Sequence, residues 1–297
     1  MSDDTDSVPI TTGMAVFNGE RYLENAIRAN LDQTMPDFEL VISDNASTDG
    51  TQAICREYAG KDSRIRYYRN ARNIGAARNF NKVFELSRGE FFRWSNADDL
   101  VEPQLLERTS AVMRSRPDVV IAYGKTQLID SDDAPIEIYD DNLDIQQEST
   151  VDRYRDFFRR VGLTNIIYGL MRSSAVKRTR LMGNGKLPAG DINFMAAMIL
   201  QGKFVELPGV LFHRRVHEQA FSANPDPEAE ASFWRGSGNM AKLPHWRSEL
   251  ANVGAVVRAP ISLHEKLSLL GYSARRMSWH RDKLIADTVD VFRGAGR

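Results

Sequence analysis

The 297-residue sequence predicts an α/β protein with a doubly wound, mostly parallel sheet and a helical stretch at its end. Three observations point there. Short apolar runs alternate with amphipathic helical segments through the first 125 residues or so, the pattern of βα units. Runs such as Phe38-Glu39-Leu40-Val41-Ile42 are nearly continuous in apolar residues, as expected of strands covered on both faces. Phe91-Phe92-Arg93-Trp94 ends abruptly in Asn96-Ala97-Asp98-Asp99, which puts two carboxylates past the carboxyl end of a strand, where open α/β sheets bind ligands.

Residues 8–17 read as a first strand leading into the loop Asn18-Gly19-Glu20. Tyr22, Leu23, Ala26, Ile27 and Leu31 recur at helical spacing, and Pro36 lies beyond the end of that helix. The second strand, 38–42, runs into the polar turn Ser43 to Gly50 and a helix over 51–59. Ile65 to Tyr68 form a third strand. A helix containing Gly75-Ala76-Ala77 continues through Glu85, and 91–95 form the fourth strand. Pro103 opens a helix over 105–113, and 119–124 form a fifth strand. After it the alternation weakens. Residues 128–136 read as a hairpin with acids in its turn, 139–150 as a loop, 151–161 as a helix, 166–171 as a strand and 192–200 as an apolar helix. Val205 to Leu207 and Val210 to His213 read as two short strands, and 261–292 as helical.

The chain is 42% hydrophobic and 27% charged, enough for a sizeable core, and 39 Lys and Arg against 40 Asp and Glu argue against a nucleic-acid binder. Cys55, the single cysteine, rules out an internal disulfide framework and a multi-cysteine zinc site, and its place in an amphipathic helix reads as a buried structural thiol. The acidic start MSDDTDSVPI lacks the basic and apolar regions of a signal peptide, and no stretch approaches the roughly 18 apolar residues that span a bilayer. A cytoplasmic protein is expected.

The order of landmarks resembles the family 2 glycosyltransferases, inverting enzymes with the GT-A fold. The residues that carry it are Phe17-Asn18-Gly19-Glu20, Asp44 through Thr51, Asn73-Ile74-Gly75, Gly89-Glu90-Phe91, Asn96 through Asp99 with Pro103, Asp191, and His213-Arg214-Arg215-Val216-His217. It covers about residues 8–222. The resemblance implies a GT-A-type sheet with a smaller acceptor-side sheet: a nucleotide-sugar-binding half over 1–125, an acceptor and catalytic-base half over 126–222, and a helical extension over 223–297.

It also implies roles. Asp44 matches the acid that accepts a hydrogen bond from the nucleotide base, which suits the N–H of uracil, although a turn-forming Asp reads the same. Phe17, Asn18 and Glu20 match the loop along the nucleoside, and Asn73 and Arg78 are nucleotide or diphosphate candidates, with a solvated helix face the alternative for Arg78. Asn96 stands where the family's first acid lies and can still bind a ribose hydroxyl. Asp98, with Asp99 the alternative and His217 in support unless it simply packs the loop, is the candidate ligand of one Mn²⁺ or Mg²⁺ that would stabilise the departing diphosphate. Asp191, ahead of an apolar helix, is both a candidate base and an ordinary N-cap. Asp49-Gly50 reads as shaping the turn and capping the next helix.

The expected activity is inverting transfer of a sugar, from a UDP-sugar first, to a hydroxyl on a glycan or lipid-linked glycan, as in cell-surface polysaccharide synthesis. A nucleotidyltransferase would need a Gly- and Lys/Arg-rich phosphate loop that Phe17-Asn18-Gly19-Glu20 does not supply. A nucleotide-sugar binder without turnover is the other alternative. Leu263, Leu267, Leu270, Tyr272, Met277 and Trp279 with Arg275, Arg276, Arg281 and Lys283 suggest a basic amphipathic surface, for packing on the catalytic domain or another subunit, or for peripheral contact with the inner membrane face.

Overall fold

The computed structural model describes residues 8–183, 190–217 and 243–294. The first four strands, β1 (Ile10–Val16), β2 (Glu39–Asp44), β3 (Ile65–Arg69) and β4 (Phe91–Ser95), are joined by the helices α1 (Glu20–Leu31), α2 (Thr51–Lys61) and α3 (Ala76–Glu85). All four are parallel, in the order β3-β2-β1-β4. The order therefore reverses between β1 and β4, and the loops after these two strands flank the crevice where ligands of such sheets bind.

The chain continues through β5 (Leu100–Val101), α4 (Leu105–Ser115), β6 (Val119–Ile129), β7 (Pro135–Tyr139), α5 (Thr150–Arg160), β8 (Leu170–Arg172), α6 (Ser173–Val176), α7 (Gly190–Ile199) and β9 (Lys203–Arg215). The smaller acceptor-side sheet is not separate. β8 pairs antiparallel with β4, β6 joins β8, and β9 joins β6, so one mixed sheet of nine strands runs through the molecule. The acidic hairpin is present as β6 and β7.

Three local expectations change. Residues 166–171 are a 3-10 turn (Asn165–Tyr168) followed by the three-residue β8; a short apolar run does not by itself distinguish strand from helical turn. The two strands expected around Pro208 are one strand, β9, whose register against β6 shifts near Gly124 while Gly209 takes φ +85. Pro208-Gly209 is thus an irregularity within a strand, not its end. The tail carries α8 (Pro244–Arg258), which the periodicity does not reveal, before α9 (Leu263–Trp279) and α10 (Arg281–Gly294).

Strand alternation splits the core into two layers. Ile10, Met14, Leu40, Ile42 and Phe91 pack with Leu23 and Ile27 of α1, Cys55 of α2 and Leu105 and Leu106 of α4. Val41, Phe92 and Trp94 face the other way, toward Val83 and Phe84 of α3, Phe157 of α5 and Phe194 of α7. Gly13 is needed there, because a Cβ would sit 2.8 Å from the Phe92 ring. Trp94 meets Phe92 and Phe194 edge-on at centroid distances of 5.1 and 5.0 Å and donates to the Phe80 carbonyl at 2.9 Å. β4, whose following loop carries Asp98, thereby also seats α7, whose first turn carries Asp191. Ala255 and Val256 of α8 and Leu269 of α9 join this layer, and Asn193 of α7 donates to Asn252 of α8 at 2.8 Å.

Cys55 is fully buried, and burial pushes its thiol up to about 12. Native protein should therefore leave a thiol reagent unreacted near neutral pH and consume one equivalent after denaturation; fast native labelling would contradict the core position.

Candidate active site

The first wall of the crevice is made by two interlocked loops. Asn18 N–H donates to Ser47 Oγ at 2.9 Å, Gly19 N–H to Thr51 Oγ1 at 2.9 Å, and Thr48 N–H to Asn18 Oδ1 at 2.8 Å. Glu20 N–H donates to Asp49 Oδ2 at 3.1 Å, while Gly50 N–H donates to Glu20 Oε2 at 2.5 Å. Each helix start thus receives a carboxylate from the other loop, which satisfies amide groups with no partner inside the helix. Asp49 does shape this turn, and Glu20 is committed to it. Phe17 stands 42% exposed at the rim.

Asp44, at the end of β2, is completely buried. It accepts from Ser47 N–H at 2.8 Å, from Tyr67 Oη at 2.8 Å and from Arg69 Nη1 at 2.5 Å. Burial alone would raise this carboxyl, but the hydrogen bonds from Ser47, Tyr67 and Arg69 outweigh it and hold the group below its ordinary value. Asn73 is turned toward the fold: its Oδ1 accepts from Asn45 Nδ2 at 2.9 Å and from Gly75 N–H at 2.8 Å. Arg78 is exposed on α3, whereas the nearby Asn81 is buried and accepts from Met182 N–H at 3.0 Å.

The second wall is the loop after β4. Asp99 is buried, and both of its oxygens are engaged: Oδ1 by Arg215 N–H at 2.8 Å and Oδ2 by Asn96 Nδ2 at 2.7 Å. Burial, then the neighbouring Asp98 charge, push its carboxyl up. Asp99 is therefore an anchor rather than the alternative ligand, and Asn96 spends its amide on it. Asp98 remains partly exposed, with Oδ2 3.2 Å from His217 Nε2. His217 packs beside Tyr22 at 5.0 Å, and its Nδ1 is buried without a hydrogen-bond partner. One carboxylate and one imidazole fit a cation that takes its remaining ligands from water and a diphosphate. Among the described residues no cluster of three such side chains exists.

β9 serves both sides of this site. Arg215 is buried, stacks over Tyr22 at 4.4 Å and donates to the Asp98 and Asp130 carbonyls at 2.8 and 3.0 Å. Arg214 donates to Asn165 Oδ1 at 2.8 Å. The preceding residue, Thr164, donates its hydroxyl to Asp191 Oδ2, and Asp191 Oδ1 accepts from Ile192 N–H at 2.8 Å. Gly190 and Asp191 open α7, and Leu187 to Ala189 lie outside the described residues.

Residues 11–169 match the sequence profile described as Glycosyl transferase family 2. The chain belongs to that family. An uncharacterized glycosyltransferase of Methanocaldococcus jannaschii, MJ1057, is 30% identical over 132 residues, 44% of this chain and 46% of that one. This alignment spans under half the length of that relative. Among solved structures, S. aureus TarS 1-349 in complex with UDP-GlcNAc superimposes with a TM-score of 0.66 at 16% identity, covering 94% of this chain and 79% of that one. Mannosyltransferase PcManGT from Pyrobaculum calidifontis, in complex with GDP-Man and Mn²⁺, does so with a TM-score of 0.51 at 17% identity, covering 96% and 87%. These likenesses establish the GT-A type of fold.

In this family 2 chain, several site residues lie outside any motif. Thr164, Asn165, Tyr67 and Arg69 are found only through their contacts, although Tyr67 and Arg69 do alternate along one face of β3. Asp141 is another: buried, it accepts from Asn165 N–H at 3.0 Å, and burial pushes its carboxyl up to about 7. A folded-state value above the unfolded one means that the native form holds this proton more tightly. Stability should then fall as pH rises from about 4 to about 7. Asp141→Asn removes the penalty, so its Tm relative to the parent should be higher at about pH 8 than at about pH 5, by the equivalent of up to about 3 kcal/mol for the roughly two units between pH 5 and the folded-state value. An unchanged gap would refute the assigned burial.

Proposed function

We propose that the protein transfers a sugar from a nucleoside-diphosphate sugar to a hydroxyl acceptor with inversion at the anomeric carbon. The observation that carries this is the meeting of Asp98 and His217 at the carboxyl edge of the sheet, beside the point where the strand order reverses. The Phe17 to Glu20 loop and the Asp44 turn would receive the nucleoside. UDP is the donor nucleotide favoured, because TarS, similar in fold, is described with UDP-GlcNAc.

Asp98 and His217 would hold one Mn²⁺ or Mg²⁺, which when bound offsets the charge that develops on the leaving diphosphate. Arg214, half-buried and joined through Asn165 to the segment that bonds Asp191, would add a fixed positive charge between the two carboxylates. Asp191 would accept the proton of the acceptor hydroxyl as its oxygen bonds to the anomeric carbon. The bond to the diphosphate oxygen breaks with its electron pair, and the nucleoside diphosphate leaves. Thr164 and Ile192 N–H hold the Asp191 carboxylate at the helix start, so the base is oriented before the acceptor arrives. A glycan or lipid-linked glycan is the acceptor class proposed.

Two variants test the assignment separately. Asp191→Asn should lower transfer by about a hundredfold or more while leaving the thermal stabilisation by UDP intact, since general-base catalysis is worth 10²–10⁴. Full activity in that variant would remove Asp191 as the base. His217→Ala should leave UDP binding weak but raise the Mn²⁺ concentration needed to strengthen it, and a metal response identical to the parent's would exclude His217 as a ligand.

A further inference from the structure

The three C-terminal helices use one face to join the core, yet they leave a second apolar face outward. Leu269 and Ser273 of α9 and Leu284 of α10 are buried, as the inward face requires. Leu263, Leu267 and Val257 nonetheless stand 72%, 61% and 53% exposed. On α9 Leu263 and Leu267 lie one turn apart on this outward side, while Leu270 beyond them turns back against the core. Lys266 Nζ donates to the Val257 carbonyl at 2.9 Å, which brings the end of α8 beside these two leucines. Packing on the catalytic domain therefore accounts for only one of the two faces.

Charge says what the other face fits. The acids of this region are largely consumed within it. Glu249 is buried and pairs with Arg276 at 3.2 Å and His280 at 2.8 Å, Asp287 is buried and pairs with His245 at 2.8 Å, and Glu265 caps α9 through Ser262. Beside these leucines, Arg258 is exposed, and burial together with the nearby Arg180 charge holds it below its ordinary value. Among the described residues neither arginine has a carboxylate within ion-pair reach, and Lys177 and Arg178 extend the same exposed basic run. A second copy of the chain related by a twofold axis would bring like charges together. A negatively charged, fluid surface would accept both the cations and the leucines.

We propose that Val257, Leu263 and Leu267, with Arg180, Arg258 and Lys266, dock the protein onto an anionic phospholipid bilayer. The attachment is peripheral: among the described residues no helix is long and apolar enough to cross a membrane. It stands apart from the sugar-transfer reading, since none of these residues belongs to the crevice.

Co-sedimentation of the full chain with vesicles of phosphatidylcholine alone, or mixed equally with phosphatidylglycerol, tests it. Binding is expected to the mixed vesicles only and to fade as added salt shortens electrostatic reach. Arg180→Glu with Arg258→Glu should weaken it by at least about fivefold per position, from the attraction of one cation to such a surface. Leu263→Ser with Leu267→Ser should weaken it at every salt concentration. Both variants alter exposed side chains, so an unchanged Tm and an unchanged response to UDP confirm that fold and crevice persist. Equal binding to neutral vesicles, no vesicle binding, or binding indifferent to both variants would overturn the proposal. So would a concentration-dependent dimer abolished by the leucine variant without vesicle binding.

Discussion

The site depends on one buried carboxylate that faces no ligand. Asp99 accepts from Asn96 on its own loop and from the main chain of Arg215 on β9, two segments more than a hundred residues apart. That clasp fixes where the loop after β4 lies relative to the end of β9, and it is what brings Asp98 to His217. Burying the group raises its pKa, so the clasp works against its own charge. Arg93, buried beneath on β4, supplies compensation at a distance: burial draws it down to about 10 while the Asp99 charge acts to raise it. The arrangement trades stability for the position of two side chains.

The same division recurs on the opposite wall of the crevice. Asp44 lies at the strand end but is enclosed by Tyr67, Arg69 and the Ser47 amide, and Glu20 is spent on the start of α2. Polar residues at the carboxyl edge thus fall into two groups, those that build the edge and those left to face the crevice. Motif position alone does not separate them. Asp98 and Asp99 are neighbours of identical chemistry, and only tertiary contacts show that one is turned inward.

This explains what the sequence could and could not convey. The parallel half of the sheet was legible because each strand there is an apolar run of ordinary length between helices of clear period. The second half was harder, because β8 has only three residues and β9 contains Pro208-Gly209, a pair that usually marks a turn. α8 has Pro244 in its first turn, a readable start signal that the weak periodicity there obscured, whereas α9, inside the stretch read as helical, opens on the capping box Ser262/Glu265. For the site, motif order brought Asp98 and His217 forward. Thr164, Asn165 and Arg214 owe their places to the crossing of β9 with the turn after α5, which no local pattern encodes.

The crossed bonds between the loops after β1 and β2 have a thermodynamic consequence. Asn18, Gly19, Glu20, Thr48 and Gly50 exchange hydrogen bonds that do not depend on any bound molecule, so this wall is built at folding. If the nucleoside docks there, as proposed, it has little main chain left to order. Its association should therefore carry a small entropic penalty and a heat-capacity change set by contact area alone, with specificity residing in a rigid shape rather than in closure around the guest.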